Sequence, residues 1–162
     1  MPHTVDAAQR PIDRWFASYS DDHRNTTNQW IHVVCVPLIL WSVVALLWAI
    51  PVPGTLFGPG AFAALTMFMT WSFYLRHLRT LGMGMLAVFV AMSWATRWLH
   101  LQLGSGQLAL LALAVFAIAW VGQFIGHHIE GRRPSFLTDL TYLLVGPVWV
   151  LSKLYRKLGW KY

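Results

Sequence analysis

The sequence has few charged residues and almost no cysteine. Only 11% of its 162 residues are charged and 57% are hydrophobic, whereas a soluble domain has about 25% charged residues. This composition predicts a membrane protein. The single cysteine, Cys35, excludes an intramolecular disulfide and a cysteine-cluster metal site, so metal ligands would have to be histidine, aspartate or glutamate.

The chain also lacks a secretory signal and internal repeats. Its first 28 residues are polar and mixed in charge, which is not the pattern of a signal peptide. The net charge of +6 comes from basic residues beside hydrophobic segments. Attraction to anionic lipid and control of topology explain that placement better than nucleic-acid binding, so no nucleic-acid partner is expected. By length, residues 1–162 form one membrane domain.

Four hydrophobic segments predict four transmembrane helices, because a crossing takes about 20 predominantly apolar residues. They run over residues 29–50, 60–75, 83–100 and 107–126, within a transmembrane region of 29–126. Residues 1–28 are expected to form a tail and an amphipathic helix, whose aromatic residues Trp15, Phe16 and Tyr19 dip into the membrane surface. The predicted fold class is therefore an all-α integral membrane protein.

The C-terminal part, residues 127–162, is expected to hold a metal-site loop, a half-inserted or interfacial helical segment and a basic tail. The apolar run 136–151 is short for a crossing, and Gly146 and Pro147 interrupt it. With four crossings, eleven of the twelve basic residues lie on one side and only Arg97 lies towards the other. The positive-inside rule then places both termini in the cytoplasm. The short chain without sorting extensions favours a bacterial inner membrane over the endoplasmic reticulum.

Polar side chains collect at the cytoplasmic ends of the first and fourth predicted crossings. Ionisable residues at membrane depth are costly unless they are paired or ligated, so these are functional candidates. His127 and Glu130 are three residues apart on one helix face, and imidazole with carboxylate is a common ligand pair for iron or zinc. The full set is His23, Asn28 and His32 at the first crossing, and His127, His128 and Glu130 at the fourth.

The spacing within this set imposes conditions. His23 and His32 are nine residues apart, which on one helix places them on opposite faces. They can share a site only if the chain bends between them, and residues 25–28 offer a bend. His128 points about 100° away from His127 around the helix, so it is a weaker candidate for a metal ligand than His127. The plainer interpretation is that a membrane helix ends at this polar stretch and meets water.

Two motifs in this sequence resemble the membrane-bound 2-hydroxy fatty acid dioxygenase family. They are Tyr19-x3-His23-x4-Asn28-x3-His32-x4-Pro37 and, far downstream, Gln123-Phe124-Ile125-Gly126-His127-x2-Glu130-x3-Pro134. The resemblance covers nearly the whole chain, from about Arg14 to Gly159.

The resemblance implies Fe(2+)-dependent α-oxidation, in which dioxygen converts a 2-hydroxy fatty acid to a fatty acid one carbon shorter. It implies that His23, His32 and His127 bind iron, with Glu130 as a fourth ligand or as a partner of the ligands. Residues expected to orient the ligands or contact the substrate or membrane lipid are Tyr19, Asn28, Gln123, Arg132 and Arg133. A di-iron acyl hydroxylase and a non-catalytic membrane protein with a structural metal site or docking surface are the alternatives. No feature of the sequence indicates an oligomeric state.

Overall fold

The computed structural model describes residues 11–21, 23–54, 57–131 and 136–162, and every regular element within these ranges is an α-helix. The all-α prediction is confirmed. The helices are α1 (Pro11–Asp21), α2 (Thr26–Ala49), α3 (Ala61–His77), α4 (Arg79–Glu130) and α5 (Phe136–Lys157).

Both ends of α2 follow from local chemistry. The side chain of Asn25 caps the first turn by accepting hydrogen bonds from the backbone N–H groups of Thr27 and Asn28. At the other end, Ile50 is extended with ψ of 125°. Its position before Pro51 disfavours a helical conformation, so the helix ends there.

The long helix α4 reverses direction at Gly104. Gly104 has φ of 73° and ψ of 173°, a non-helical conformation inside the element, and glycine adopts it without a Cβ clash. Met85, near the start of α4, packs in one cluster with Leu151 of α5. Two residues away, Trp149 lies against His23, which in turn contacts His127 at the end of α4. On a straight helix Met85 and His127 would be about 63 Å apart, so the two arms, residues 79–103 and 105–130, run back past each other.

The segment predicted as interfacial forms the longer helix α5. The interruption expected at Gly146 and Pro147 is absent. The helix continues through Pro147 to Lys157. In the turn before Pro147, the hydroxyl of Tyr74 donates a hydrogen bond to the carbonyl of Leu144 at 2.6 Å. This bond ties α3 to the turn of α5 that precedes the proline.

Helix α1 packs on α5 rather than presenting all its aromatic residues outward. Tyr19 is buried in a cluster with Val145 and Trp149, and Phe16 packs against the same cluster. Of these three aromatic residues, only Trp15 is exposed, at 40%. The prediction that all three aromatics dip into the membrane is therefore wrong for Tyr19. This side chain packs α1 against the N-terminal end of α2.

Much of the apolar surface faces outward. Trp94, Ile118 and Leu110 are 75%, 71% and 69% exposed, whereas the core helix of a soluble protein buries such residues. Helices α2 and α4 are each long and apolar enough to cross a membrane. This supports association with a membrane. The number of crossings and the side on which the termini lie stay predictions.

Candidate metal centre

Three histidines from three separate segments converge at one end of the bundle. His23 lies between α1 and α2, His32 lies on the second turn of α2, and His127 lies on the last turn of α4. Their ligand nitrogens lie within 4.8 Å of one another. His23 and His32 are both 2% exposed. The bend that the sequence required between these two residues is present, since α1 ends at Asp21 and α2 begins at Thr26.

The distance between the first two imidazoles suits a metal ion. The Nε2 atoms of His23 and His32 are 3.2 Å apart. With metal–nitrogen bonds of about 2.0–2.1 Å, two neighbouring ligands on one ion lie roughly 2.9–3.4 Å apart. The ring of His127 lies 5.5 Å from that of His23 and 5.2 Å from that of His32, measured between centroids. A small side-chain adjustment would bring all three nitrogens onto one ion.

Tyr19 holds two of the three imidazoles. The Nδ1 atom of His23 donates to the backbone carbonyl of Tyr19 at 2.6 Å. Because a carbonyl can only accept, the proton is on Nδ1 and the lone pair of Nε2 faces the cluster, which is the usual arrangement of a metal-binding histidine. The Tyr19 ring stacks on His23 at 4.2 Å, and its hydroxyl lies 3.1 Å from Nδ1 of His32.

Glu130 contacts the polypeptide around His23 rather than the three imidazoles. Its Oε1 atom accepts hydrogen bonds from the backbone N–H groups of Arg24 and Asn25, at 2.9 and 3.0 Å. Its Oε2 atom accepts from Nδ2 of Asn28 at 2.9 Å. A carboxylate at the start of α2 is also favoured by the helix dipole. The carboxylate therefore ties the end of α4 to the segment that carries His23.

Two buried amide side chains have polar atoms without a partner among the described residues. These atoms are Oδ1 of Asn28 and Nε2 of Gln123. Gln123 is four residues before His127, on the same face of α4. A buried polar atom without a hydrogen bond costs about 1–3 kcal/mol and is uncommon in folded proteins. Asn28 and Gln123 lie one helical turn before His32 and His127 respectively, which is consistent with a site that takes a polar ligand.

Gly126 allows α2 and α4 to approach closely at this point. A Cβ atom at Gly126 would overlap Oδ1 of Asn28. Gly126 belongs to the second sequence motif, but no role was predicted for it. Close packing could have been predicted from its position inside a helix directly before His127, because a glycine there often marks the close approach of another element.

Three residues near the cluster carried no sequence signal of a site. Trp149 of α5 lies against Tyr19 and His23, with ring distances of 4.8 and 5.7 Å. The ammonium of Lys153 sits 4.0 Å above the Trp149 ring and donates to Oε1 of Gln29 at 2.6 Å. Gln29 in turn donates to the carbonyl of His23 at 2.8 Å. Burial, and then repulsion from Arg156, lower the pKa of Lys153.

One predicted residue among the described ones, His128, is not brought to the cluster. His128 is exposed and does not join the three histidines. Arg132 and Arg133 lie outside the described residues, so their proposed roles stay predictions.

The chain is similar to known proteins. Residues 9–158 match a protein-family model described as Mpo1-like, 2-hydroxy-palmitic acid dioxygenase. A curated yeast relative, the 2-hydroxy-palmitic acid dioxygenase MPO1 of Saccharomyces cerevisiae, is 28% identical over 144 residues, which cover 87% of this chain and 78% of the relative. No solved structure gives a significant match.

Proposed function

This chain belongs to the Mpo1-like family, and we propose that it is a 2-hydroxy fatty acid dioxygenase whose Fe(2+) is held by His23, His32 and His127. The observation that carries the proposal is the convergence of these three imidazoles, two of them buried, with ligand nitrogens within 4.8 Å. Imidazole is a suitable ligand for non-haem iron. The name of the yeast relative supports the substrate class.

The proposed reaction is balanced without an external reductant. A 2-hydroxy acid, R–CH(OH)–COOH, and O2 give the acid R–COOH, CO2 and water. The C1–C2 bond breaks, C2 is oxidised to a carboxylic acid, C1 leaves as CO2, and dioxygen takes up four electrons. Bound Fe(2+) would supply the redox chemistry with dioxygen.

The protein residues have positioning roles in this proposal. Tyr19 holds His23 through its carbonyl and lies against His32 through its hydroxyl. Glu130 anchors the segment of His23 and is a positioning residue, not a metal ligand. Nε2 of Gln123, which has no hydrogen-bond partner among the described residues, would donate to an oxygen of the substrate. Burial of His23 and His32 keeps bulk water away from the reacting atoms.

We also propose that the site lies at the cytoplasmic face of a bacterial inner membrane, in a chain with four crossings. The reversal of α4 supports this, because its two arms with α2 and α3 provide four helical segments. Both ends of α4 then lie at the end of the bundle that holds α1 and the basic C-terminal tail. A reporter enzyme fused to the C-terminus is expected to show a cytoplasmic location.

The alternatives predict different metal contents. A di-iron hydroxylase needs a second cluster of ligands, and the described residues form one group of three histidines. A structural site would hold zinc tightly, since zinc accepts the same ligands. Metal analysis therefore separates the three functions.

The test is metal content and turnover on the full chain purified under anaerobic conditions. We expect one iron per chain, and conversion of 2-hydroxypalmitate to pentadecanoic acid with one O2 consumed and one CO2 released. A His32→Ala variant should lose both iron and turnover. Tightly held zinc without any chain shortening would refute the dioxygenase and favour the structural site.

A further inference from the structure

A cleft of about 440 Å³ opens between α2 and α5, next to the turns of α2 that carry His32. Its size is within the range of roughly 300–1,000 Å³ that small-molecule sites occupy. Its lining is apolar except for a glutamine and two lysines. Its walls include Gln29, Trp30 and Val33 on α2, and Val150, Lys153 and Leu154 on α5.

Lys153 stands between this cleft and the candidate metal centre. It lines the cleft, and its ammonium lies 4.0 Å above the Trp149 ring. The Trp149 ring in turn lies 5.7 Å from the ring of His23, measured between centroids. On α2, Gln29 lines the cleft three residues before His32, on the same helix face. The Trp149 ring therefore connects Lys153, in the wall of the cleft, to His23 of the candidate metal centre.

The charge of Lys153 has no carboxylate partner among the described residues. Its contacts are the amide oxygen of Gln29 and the ring of Trp149, both neutral. Among the described residues, the carboxylate of Glu130 already accepts hydrogen bonds from the start of α2. A half-buried cation without a counterion is disfavoured, which agrees with its lowered pKa. An anion at this point would relieve that cost.

We propose that the cleft between α2 and α5 binds the acyl chain of a fatty acid and that Lys153 pairs with its carboxylate. The charge and the apolar walls match the two ends of such a ligand. The outer part of the cleft meets the bilayer side of the protein, where Trp30 and Leu154 are 63% and 50% exposed. The identity of the fatty acid as a 2-hydroxy acid rests on the proposed function; the binding site itself does not require turnover.

The experiment measures binding on the full chain in lipid nanodiscs, without oxygen or added iron. Brominated stearic acid quenches tryptophan fluorescence on contact, so Trp30 reports on the cleft, and a Trp30→Phe variant removes that part of the signal. We expect Lys153→Met to weaken binding of the acid by about ten- to a hundredfold, because it loses a charge-assisted hydrogen bond. Binding of the uncharged methyl ester should not change.

Matched variants separate charge from fold. Lys161→Met removes the same charge from an exposed position outside the cleft and should bind like the wild type. Lys153→Arg should restore most of the affinity, since it keeps the cation. A phospholipid as the natural occupant would appear as equal binding of acid and ester.

Four results would overturn the inference: equal binding of the acid and the ester by the wild type, normal acid binding by Lys153→Met, an equal loss of acid and ester binding in that variant, or quenching that Trp30→Phe leaves unchanged. The proposed function fails separately. If the wild type binds the acid in the cleft but does not shorten 2-hydroxypalmitate, only the reaction is refuted. If turnover occurs while Lys153→Met binds normally, only the cleft is refuted.

Discussion

Replacing Glu130 with alanine should weaken metal binding without removing a ligand. The carboxylate accepts hydrogen bonds from the backbone of Arg24 and Asn25 and from the side chain of Asn28, all at 2.9–3.0 Å. A hydrogen bond to a charged group contributes about 1.5–3 kcal/mol, and we assign about 1.5 kcal/mol to the part-buried bond from Asn28. The two backbone donors are exposed, so together they contribute about 0.5 kcal/mol. A total of about 2 kcal/mol follows for the group.

If that free energy holds His23 in place, its loss lowers metal affinity by about 30-fold. This lies within the 10–100-fold range found when the hydrogen-bond partners of metal ligands are removed. Titration of the purified protein with cobalt(II) measures the affinity. The visible spectrum of the saturated complex reports the ligand set, and it should match that of the wild type.

The matched control is Asp21→Ala. Asp21 also contacts this segment, but through an exposed pair with the Arg24 side chain at 3.1 Å, which is worth little. It should leave the affinity unchanged. Wild-type affinity in Glu130→Ala would refute the anchoring role. A loss of more than a thousandfold with an altered cobalt spectrum would make Glu130 a ligand instead.

Three further substitutions test the site. His32→Ala should abolish stoichiometric metal binding measured by mass spectrometry, and retained metal would exclude His32 as a ligand. Gly126→Ala should lower the thermal midpoint and the metal affinity, at a cost of about 1–3 kcal/mol, because the new methyl group overlaps Asn28. Gly106→Ala is the control, because a methyl group there meets no atom of another element within 4 Å, and it should lower neither. Tyr19→Phe removes the hydroxyl beside His32 and should lower cobalt affinity by about tenfold with the fold intact by circular dichroism, whereas unchanged affinity would leave the tyrosine a packing role only.

The sequence predicted the elements near the site better than their connections. The nine-residue spacing of His23 and His32 required a bend, and the structure has one between α1 and α2. The turn near Gly104 was also predictable, because Gly104 and Gly106 end an apolar run. That the chain reverses there within a single non-helical residue was not, since turn length depends on how the two arms pack against α2.

The contacts of α5 could not be predicted from the sequence. Its aromatic and basic residues match the pattern of headgroup anchors, and Pro147 suggested an interruption. Only tertiary packing shows that Trp149 lies against His23 and that Lys153 reaches Gln29. For Glu130, the spacing correctly placed it on the face of His127, but helix periodicity says nothing about which backbone donors from α2 meet it.

The separation of the histidines along the chain has a consequence for the lifetime of the protein. An ion shared by His32 and His127 closes a loop of about 95 residues, and linking such distant points removes much of the freedom of the unfolded chain. Such an ion would also bind the folded form preferentially and so shift the equilibrium away from unfolding. Metal-free chains should therefore open more often at this end of the bundle and be cut there by proteases. Cells short of the metal would then lose the protein as well as its activity.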